Sequence, residues 1–500
     1  MTELLGIGGA VFASAALLDP DRPRRGLWMS AALVLAATIL LTDQWDSSQI
    51  EALRDSPAVA VGLLFAGLVV TGLVAWLFLE VPVAFPVAVV IALPFRIPVE
   101  LGGETANLLL PLYLVIAAGV LAWLVRSRTA PDPLGDSPEP GRWARMMIPL
   151  LAASVLLYAV AITWSVDPSR GLQDLAFFLI PFAVLFSLLT GVEWNGRLLR
   201  LVFIVLVAQA LVCAAVGFVQ FLTRELFWND AVIRTNDFHV YFRVNSLFWD
   251  PNLYGRFLAL VITAVVAVVA WSRNRRTALW LSAVALVLWL SLFTTFSQSS
   301  FLALAAGIAA VIALRWSLRA VIAGVAAAAV ATLVFLSVGG EAIKFDLERL
   351  NPQTGGRADL VSGGLELFGD RPIAGYGGGS FGLAFSQEVA GPDAPVTESH
   401  TEPVTVAAET GLVGLLVYFG LIAASLFVLL AGSRSTMPGL GQVEGGEASG
   451  RGPPVARAAV FAAYIGLLVH TVFYAGYLHD PVTWFLLAIG YCLAFRCRAT

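Results

Sequence analysis

Long apolar runs, broken by short clusters of charged, proline or glycine residues, dominate the 500-residue chain. Most approach the roughly 20 residues that a helix needs to cross a hydrocarbon layer. They predict spans near 3–18, 26–42, 57–79, 82–98, 106–125, 146–164, 172–190, 198–222, 253–271, 277–294, 298–314, 317–338, 410–431, 457–478 and 481–496. The expected fold class is therefore all-α, a multi-pass transmembrane helical bundle of about 15 spans. A large external loop with short helices interrupts it at 339–409. The expected organisation is residues 1–80 as N-terminal helices, 81–338 as the first part of a transmembrane core, the loop 339–409, and 410–500 as C-terminal helices with a cytoplasmic loop at 432–456.

Composition sharpens this reading. Apolar residues make up 59% of the chain and charged ones 13%, against about 45–50% and 25% in soluble domains, which excludes a soluble fold. The first run has no basic residue before it and Arg22, Arg24 and Arg25 after it, the reverse of a signal peptide, so it is expected to remain as a span with its N-terminus outside. Alternation from there puts Arg22/24/25, Arg126/128/142/145, Arg197/200, Arg273/275/276, Arg315/319, Arg434/451/457 and Arg496/498 on one side, 19 of the 30 basic residues. That side is read as cytoplasm, and segments 223–252 and 339–409 as external. Three cysteines without metal-ligand spacing point to neither a disulfide framework nor a zinc site.

Candidate chemistry gathers on the external side. In YFRVNSLFWDPNLYGR, residues 241–256, Asp250 is a good N-cap and Pro251 a good first helical residue, so Asp250-Pro251-Asn252 reads as a helix start. Arg256 lies one turn into the span, where an ion is costly unless it faces the bundle or snorkels. Arg243 and Arg256 are candidates to hold a phosphate, or to anchor lipid headgroups. The turn Thr294–Ser300, with Ser297 and Ser299, caps helices or lines a polar cavity. Arg357 opens an amphipathic stretch with Leu360, Leu365 and Phe368 on roughly one face, ended by Arg371-Pro372. Gly375-Tyr376-Gly377-Gly378-Gly379 follows, a cluster that suits either an anion nest or a plain turn.

His400, in Glu398-Ser399-His400-Thr401-Glu402, is the sharpest single residue: an imidazole can take a proton from a sugar hydroxyl, with Glu398 or Glu402 to orient it. His470 and His479, near the external end of the last helical pair, read as packing or interfacial residues, and His239 is unassigned.

Four motifs in this order resemble the O-antigen ligase and polymerase family of polytopic membrane glycosyltransferases. They are RVNSLFWDPNLYG, TFSQSSFLALAAG, RADLVSGGLELFGDRPIAGYGGGSF and SHTEPVTVAAETGLVGLL. The resemblance spans about residues 200–430 and implies a twelve-helix core with the first three spans as an addition. It further implies an undecaprenyl-diphosphate-linked glycan donor, a glycolipid or other cell-envelope acceptor, and a plasma (inner) membrane location with the active site on the external, periplasmic face. No cofactor and no metal is implied, nor any nucleic-acid partner.

Carried over by motif, Arg243 and Arg357 would bind the diphosphate and His400 would be the catalytic histidine, with Arg371 a helper by position. Asp250, Asn252, Arg256, Ser297, Ser299, Glu398 and Glu402 would support them. The chain departs from the family pattern at Gln298-Ser299, where an arginine is usual after the serine, and at Thr401, where an asparagine is usual. The implied activity is ligase-type transfer of a polysaccharide to an external hydroxyl. The alternatives are a polymerase of the same chemistry and, from a different class, a membrane transporter.

Overall fold

The computed structural model describes residues 2–45, 47–101, 104–129, 142–229, 232–234, 236, 241–319, 321–322, 357–391, 399–431 and 454–495. Among them, eleven helices are long and apolar enough to cross a membrane, and the shorter apolar helices Thr2–Leu18 (α1) and Pro481–Phe495 stand where two more spans were expected. The chain is thus a multi-pass helical membrane protein. The expected span 317–338 lies outside the described residues from 323 onward.

The expected span at 82–98 is corrected. Its helix, α5, runs only from Ala84 to Ala92, too short to cross. Pro94 and Pro98 explain the stop, since proline disfavours helix in the residue before it and cannot donate a backbone bond. The chain instead forms an antiparallel hairpin of β1 (Ile97–Leu101) and β2 (Glu104–Leu108), an exception to the helical pattern.

The N-terminal region is of two kinds. Helix α1 packs on α2 (Arg22–Asp43), on α7 (Arg142–Ala161) and on α9 (Ile180–Leu189). Serines tie it in: the Ser14 hydroxyl donates to Ala152 O at 3.2 Å and that of Ser187 to Ala16 O at 3.0 Å. Helix α4 (Pro57–Glu80) is the opposite, with Leu64, Phe65, Leu68 and Trp76 all at least 60% exposed, as suits contact with lipid tails.

Five helices build the part that matters for chemistry. After α10 (Gly196–Thr223), helices α11 (Pro251–Trp271), α12 (Arg275–Phe293) and α13 (Gln298–Arg315) form a serpentine. Helix α17 (Pro454–Phe473) packs on both α11 and α13. Small residues set the closeness of these contacts, because a methyl group at Gly307 would come within 2.5 Å of the Thr263 hydroxyl and one at Gly466 within 2.8 Å of Ala303 O.

Helix α14 (Arg357–Asp370) confirms the amphipathic stretch, but its inward face differs from the expected one. Gly363, Gly364 and Leu367 are buried and Leu365 is 54% exposed. The glycines allow close approach: a methyl group at Gly364 would lie 2.3 Å from Val404 and one at Gly363 2.4 Å from Phe385. Helix α16 begins at Glu402, before the expected re-entry at 410, and runs to Ala431 with a break at Gly411 (φ 61, ψ −155).

That break leaves backbone groups without helical partners, and the segment after α14 takes them up. Tyr376 N–H donates to Ala408 O at 2.9 Å, Gly377 N–H to Glu409 O at 2.8 Å, and Leu412 N–H to Pro372 O at 2.8 Å.

Candidate functional site

Asp250 acts as the sequence suggests: its carboxylate accepts the backbone N–H groups of Asn252 (2.6 Å) and Leu253 (3.3 Å), with Pro251 as the first helical residue. A cap of this kind contributes about 1 kcal/mol. It fixes the start of α11 and hence two side chains on its first turns, Asn252 and Arg256.

Arg243 is spread between two elements. Its Nε donates to Thr295 O at 2.9 Å and a terminal nitrogen donates to Asn252 Oδ1 at 3.0 Å. Its backbone exchanges two 3.0 Å hydrogen bonds with the Asn236 side chain. Burial is the main influence on its guanidinium and lowers its pKa, an effect opposed by the Asp250 carboxylate and reinforced by the like charge of Arg357. It stays ionised all the same, as arginine does. Arg357, the first residue of α14, lies close enough for its charge to act on Arg243 and on His470. Two cations held near each other at the edge of a low-dielectric bundle create a preference for an anion.

Arg256 is 4% exposed and faces the bundle interior, where it forms an ion pair with Asp480. Asp480 also caps the last helix, α18 (Pro481–Phe495), accepting Val482 N–H at 2.8 Å. Arg256 Nη1 is buried and has no hydrogen-bond partner among the described residues. Beside this pair opens a cavity of about 880 Å³ walled mainly by apolar residues of α10, α11, α17 and α18, including Phe203, Phe257, Val460 and Phe485.

In the turn at 294–300 the hydroxyl residues Thr294, Thr295, Ser297, Ser299 and Ser300 are all buried, while Gln298 is exposed. Ser297 Oγ meets Ser299 Oγ at 3.2 Å and Ser300 Oγ at 2.8 Å, and both of those hydroxyls lie near His470 Nε2, at 3.3 and 3.4 Å. His470 is wholly buried, and its Nδ1 has no partner among the described residues.

His400 stands at the base of the loop with a left-handed backbone (φ 56). Its ring lies 5.6 Å from that of Tyr474, which in turn lies 5.7 Å from the ring of His470. Next to His400, Ser399 is buried and its hydroxyl is hydrogen-bonded to Thr405, fixing the entry to α16. Glu402 takes a different role from orienting His400: its carboxylate accepts Gly476 N–H at 2.6 Å and ties α16 to the turn after α17. Glu398 lies outside the described residues, as does His239.

Arg371 is exposed, and its guanidinium sits 4.1 Å above the Tyr376 ring, so its described contact belongs to the loop fold. Burial is the main reason that the Tyr376 phenol is raised above its ordinary pKa. The glycine cluster is a packing turn. A methyl group at Gly377 would lie 2.2 Å from Ser165 Cα, and one at Gly379 2.4 Å from Gly171 N. Gly375 N–H donates to Arg371 O and Gly377 N–H to Glu409 O, and the Glu409 side chain engages Gly379 and accepts Phe381 N–H, just beyond the cluster, at 3.2 Å.

Arg243, Asn252, Arg256, Ser297, Ser299, Arg357 and His400 are therefore brought toward one end of the bundle. His470, Tyr474 and Asp480 join them without having been marked as functional in the sequence. The position of His470 in an apolar helical pair made it read as a packing or interfacial residue, and Tyr474 and Asp480 drew no reading; the signal available was that a histidine is rare inside a span.

The chain is a polytopic helical membrane protein with a partly buried cluster of arginine, histidine and serine side chains at one end, a candidate site. Residues 283–419 match the family model of the O-antigen ligases, bearing out the resemblance carried by the motifs. The matched region holds the serine turn, Arg357, Arg371 and His400, whereas Arg243, Arg256, His470, Tyr474 and Asp480 lie outside it. No curated protein matches the chain.

Proposed function

We propose that the protein is a membrane glycan transferase of the ligase type, moving a polysaccharide from an undecaprenyl-diphosphate carrier to an external hydroxyl acceptor. The observation that carries this reading is the convergence of Arg243, Arg357 and His400, from three separate segments, on one end of the bundle within a chain that matches the O-antigen ligase model. In this reading that end faces the outside of a plasma (inner) membrane, as the family resemblance implies.

In the reaction the acceptor oxygen forms a bond to the anomeric carbon, the bond from that carbon to the phosphate oxygen breaks, and the electron pair leaves with the diphosphate. Arg243 and Arg357 stabilise the charge that grows there. His400 takes the proton from the acceptor hydroxyl. Held already by Thr295 O and Asn252, Arg243 needs little reorganisation to meet the phosphate. The apolar cavity beside Arg256 suits an isoprenoid chain lying within the bilayer.

The test is transfer from a purified polyprenyl-diphosphate-linked glycan to envelope acceptor in detergent or vesicles, with a chelator present. We expect chelator-resistant transfer by the wild type and its loss in Arg243→Ala, Arg357→Ala and His400→Ala. Wild-type protein that transfers nothing, with variants that still complement a deletion strain, would refute the assignment and favour transport. In the same strain, loss of glycan attachment with normal chain length marks a ligase, and single repeats mark a polymerase.

A further inference from the structure

We propose that Tyr474 is a positioning residue that sets the ring of His400 in place for proton transfer, with His470 as its brace. The proposal rests on the reading of His400 as the base, and it adds a residue from a different helix and from outside the matched region.

The ring of His400 packs against that of Tyr474. His400 lies in the short link before α16 with a left-handed backbone, a conformation that non-glycine residues adopt when their surroundings impose it. Across from it, Tyr474 is anchored at the end of α17, where its N–H donates to His470 O at 2.8 Å. The Tyr474 ring meets His400 on one side at an interplanar angle of 32° and His470 on the other at 61°. Aromatic pairs at such separations hold preferred orientations with about 0.5–1.5 kcal/mol beyond simple burial.

The brace is itself rigid. His470 is wholly buried and its Nε2 lies against the hydroxyls of Ser299 and Ser300 on α13. The turn beyond Tyr474 is held from the opposite side, because Gly476 N–H donates to Glu402 at the head of α16. His400 and Tyr474 thus sit on two segments fastened to each other two residues away on either side. Tyr474 also lies close enough to Arg243 to act on its guanidinium. A base displaced by about 1 Å loses on the order of 10²-fold in rate, so a ring contact that fixes an imidazole has kinetic consequences.

The chain has four histidines, so a histidine-labelled sample gives an NMR spectrum that single His→Gln variants can assign. In Tyr474→Ala we expect the His400 and His470 ring resonances to move, and turnover to fall about 10²-fold while the donor KM stays near its wild-type value. Tyr474→Phe keeps the ring and is expected to restore both the resonances and the rate. Should Tyr474→Ala not survive purification, Tyr474→Leu carries the same test. An unmoved His400 resonance in Tyr474→Ala would overturn the proposal, as would Tyr474→Phe proving as damaging as Tyr474→Ala. His400→Ala is measured in parallel: if it transfers normally, the catalytic reading fails, while the resonances still report whether Tyr474 sets the ring.

Discussion

Arg256 and Asp480 form an ion pair whose side chains are 5% and 6% exposed, joining the first turns of α11 to the head of α18. Removing one partner leaves a buried charge uncompensated, at a cost of about 3–5 kcal/mol. We expect Asp480→Ala to lower the midpoint of thermal unfolding in detergent sharply, and the double variant Arg256→Met/Asp480→Leu to recover much of that loss. Equal destabilisation by the single and double changes would show that the pair is not the cause.

Arg243 makes its two contacts in different directions, one to Thr295 O and one to Asn252 Oδ1. A lysine ammonium cannot reproduce that planar fork. Arg243→Lys is therefore expected to retain the charge yet lose on the order of 10-fold or more in transfer rate, with Arg243→Ala losing about 10²–10³-fold. Single-turnover transfer with a fixed amount of lipid-linked donor measures both, and full activity in Arg243→Lys would reduce its role to charge alone.

His400 is expected to act on the acceptor and not on donor binding. His400→Ala should reduce turnover by about 10²–10⁴-fold while a fluorescent polyprenyl diphosphate binds as it does to the wild type. Arg357→Ala should show the opposite balance, with donor affinity falling. An assay in which both variants lose binding equally would contradict this division of labour.

Glycines at the base of the loop and in the lipid-facing helix should respond in opposite ways. Gly411 has φ 61, and a methyl group there would come within 2.4 Å of Ile373 O. Gly411→Ala is thus expected to destabilise by more than about 1 kcal/mol. Gly62 and Gly72 of α4 meet nothing within 4 Å, and alanine there should leave stability unchanged or raise it by about 0.5–1 kcal/mol. Thermal unfolding of the three variants, compared side by side, checks both directions.

The spans were legible because each is a long apolar run, and the start of α11 because Asp250-Pro251 is a local signal read within four residues. The 82–98 span failed where hydropathy and proline disagreed and the prolines won. What lay beyond reach were contacts that only the fold creates. Ser299 meets His470 from 171 positions away, and Glu409 accepts the Phe381 N–H from 28 positions away. Neither leaves a trace in local composition. The same holds for Glu402, whose nearness in sequence to His400 suggested an orienting role, while its described partner is Gly476.

The backbone bonds between residues 372–377 and 408–412 make those two stretches halves of one joint. A chimera that imports the first half from a related protein would present its N–H groups to a break of different shape, and one that imports only the second would leave the Tyr376 and Gly377 N–H groups without their native acceptors. Swaps aimed at changing acceptor preference therefore have a natural unit of exchange, running from Arg371 through Val413 as a single cassette. Grafts cut anywhere inside it are expected to fail in assembly before they can report on specificity.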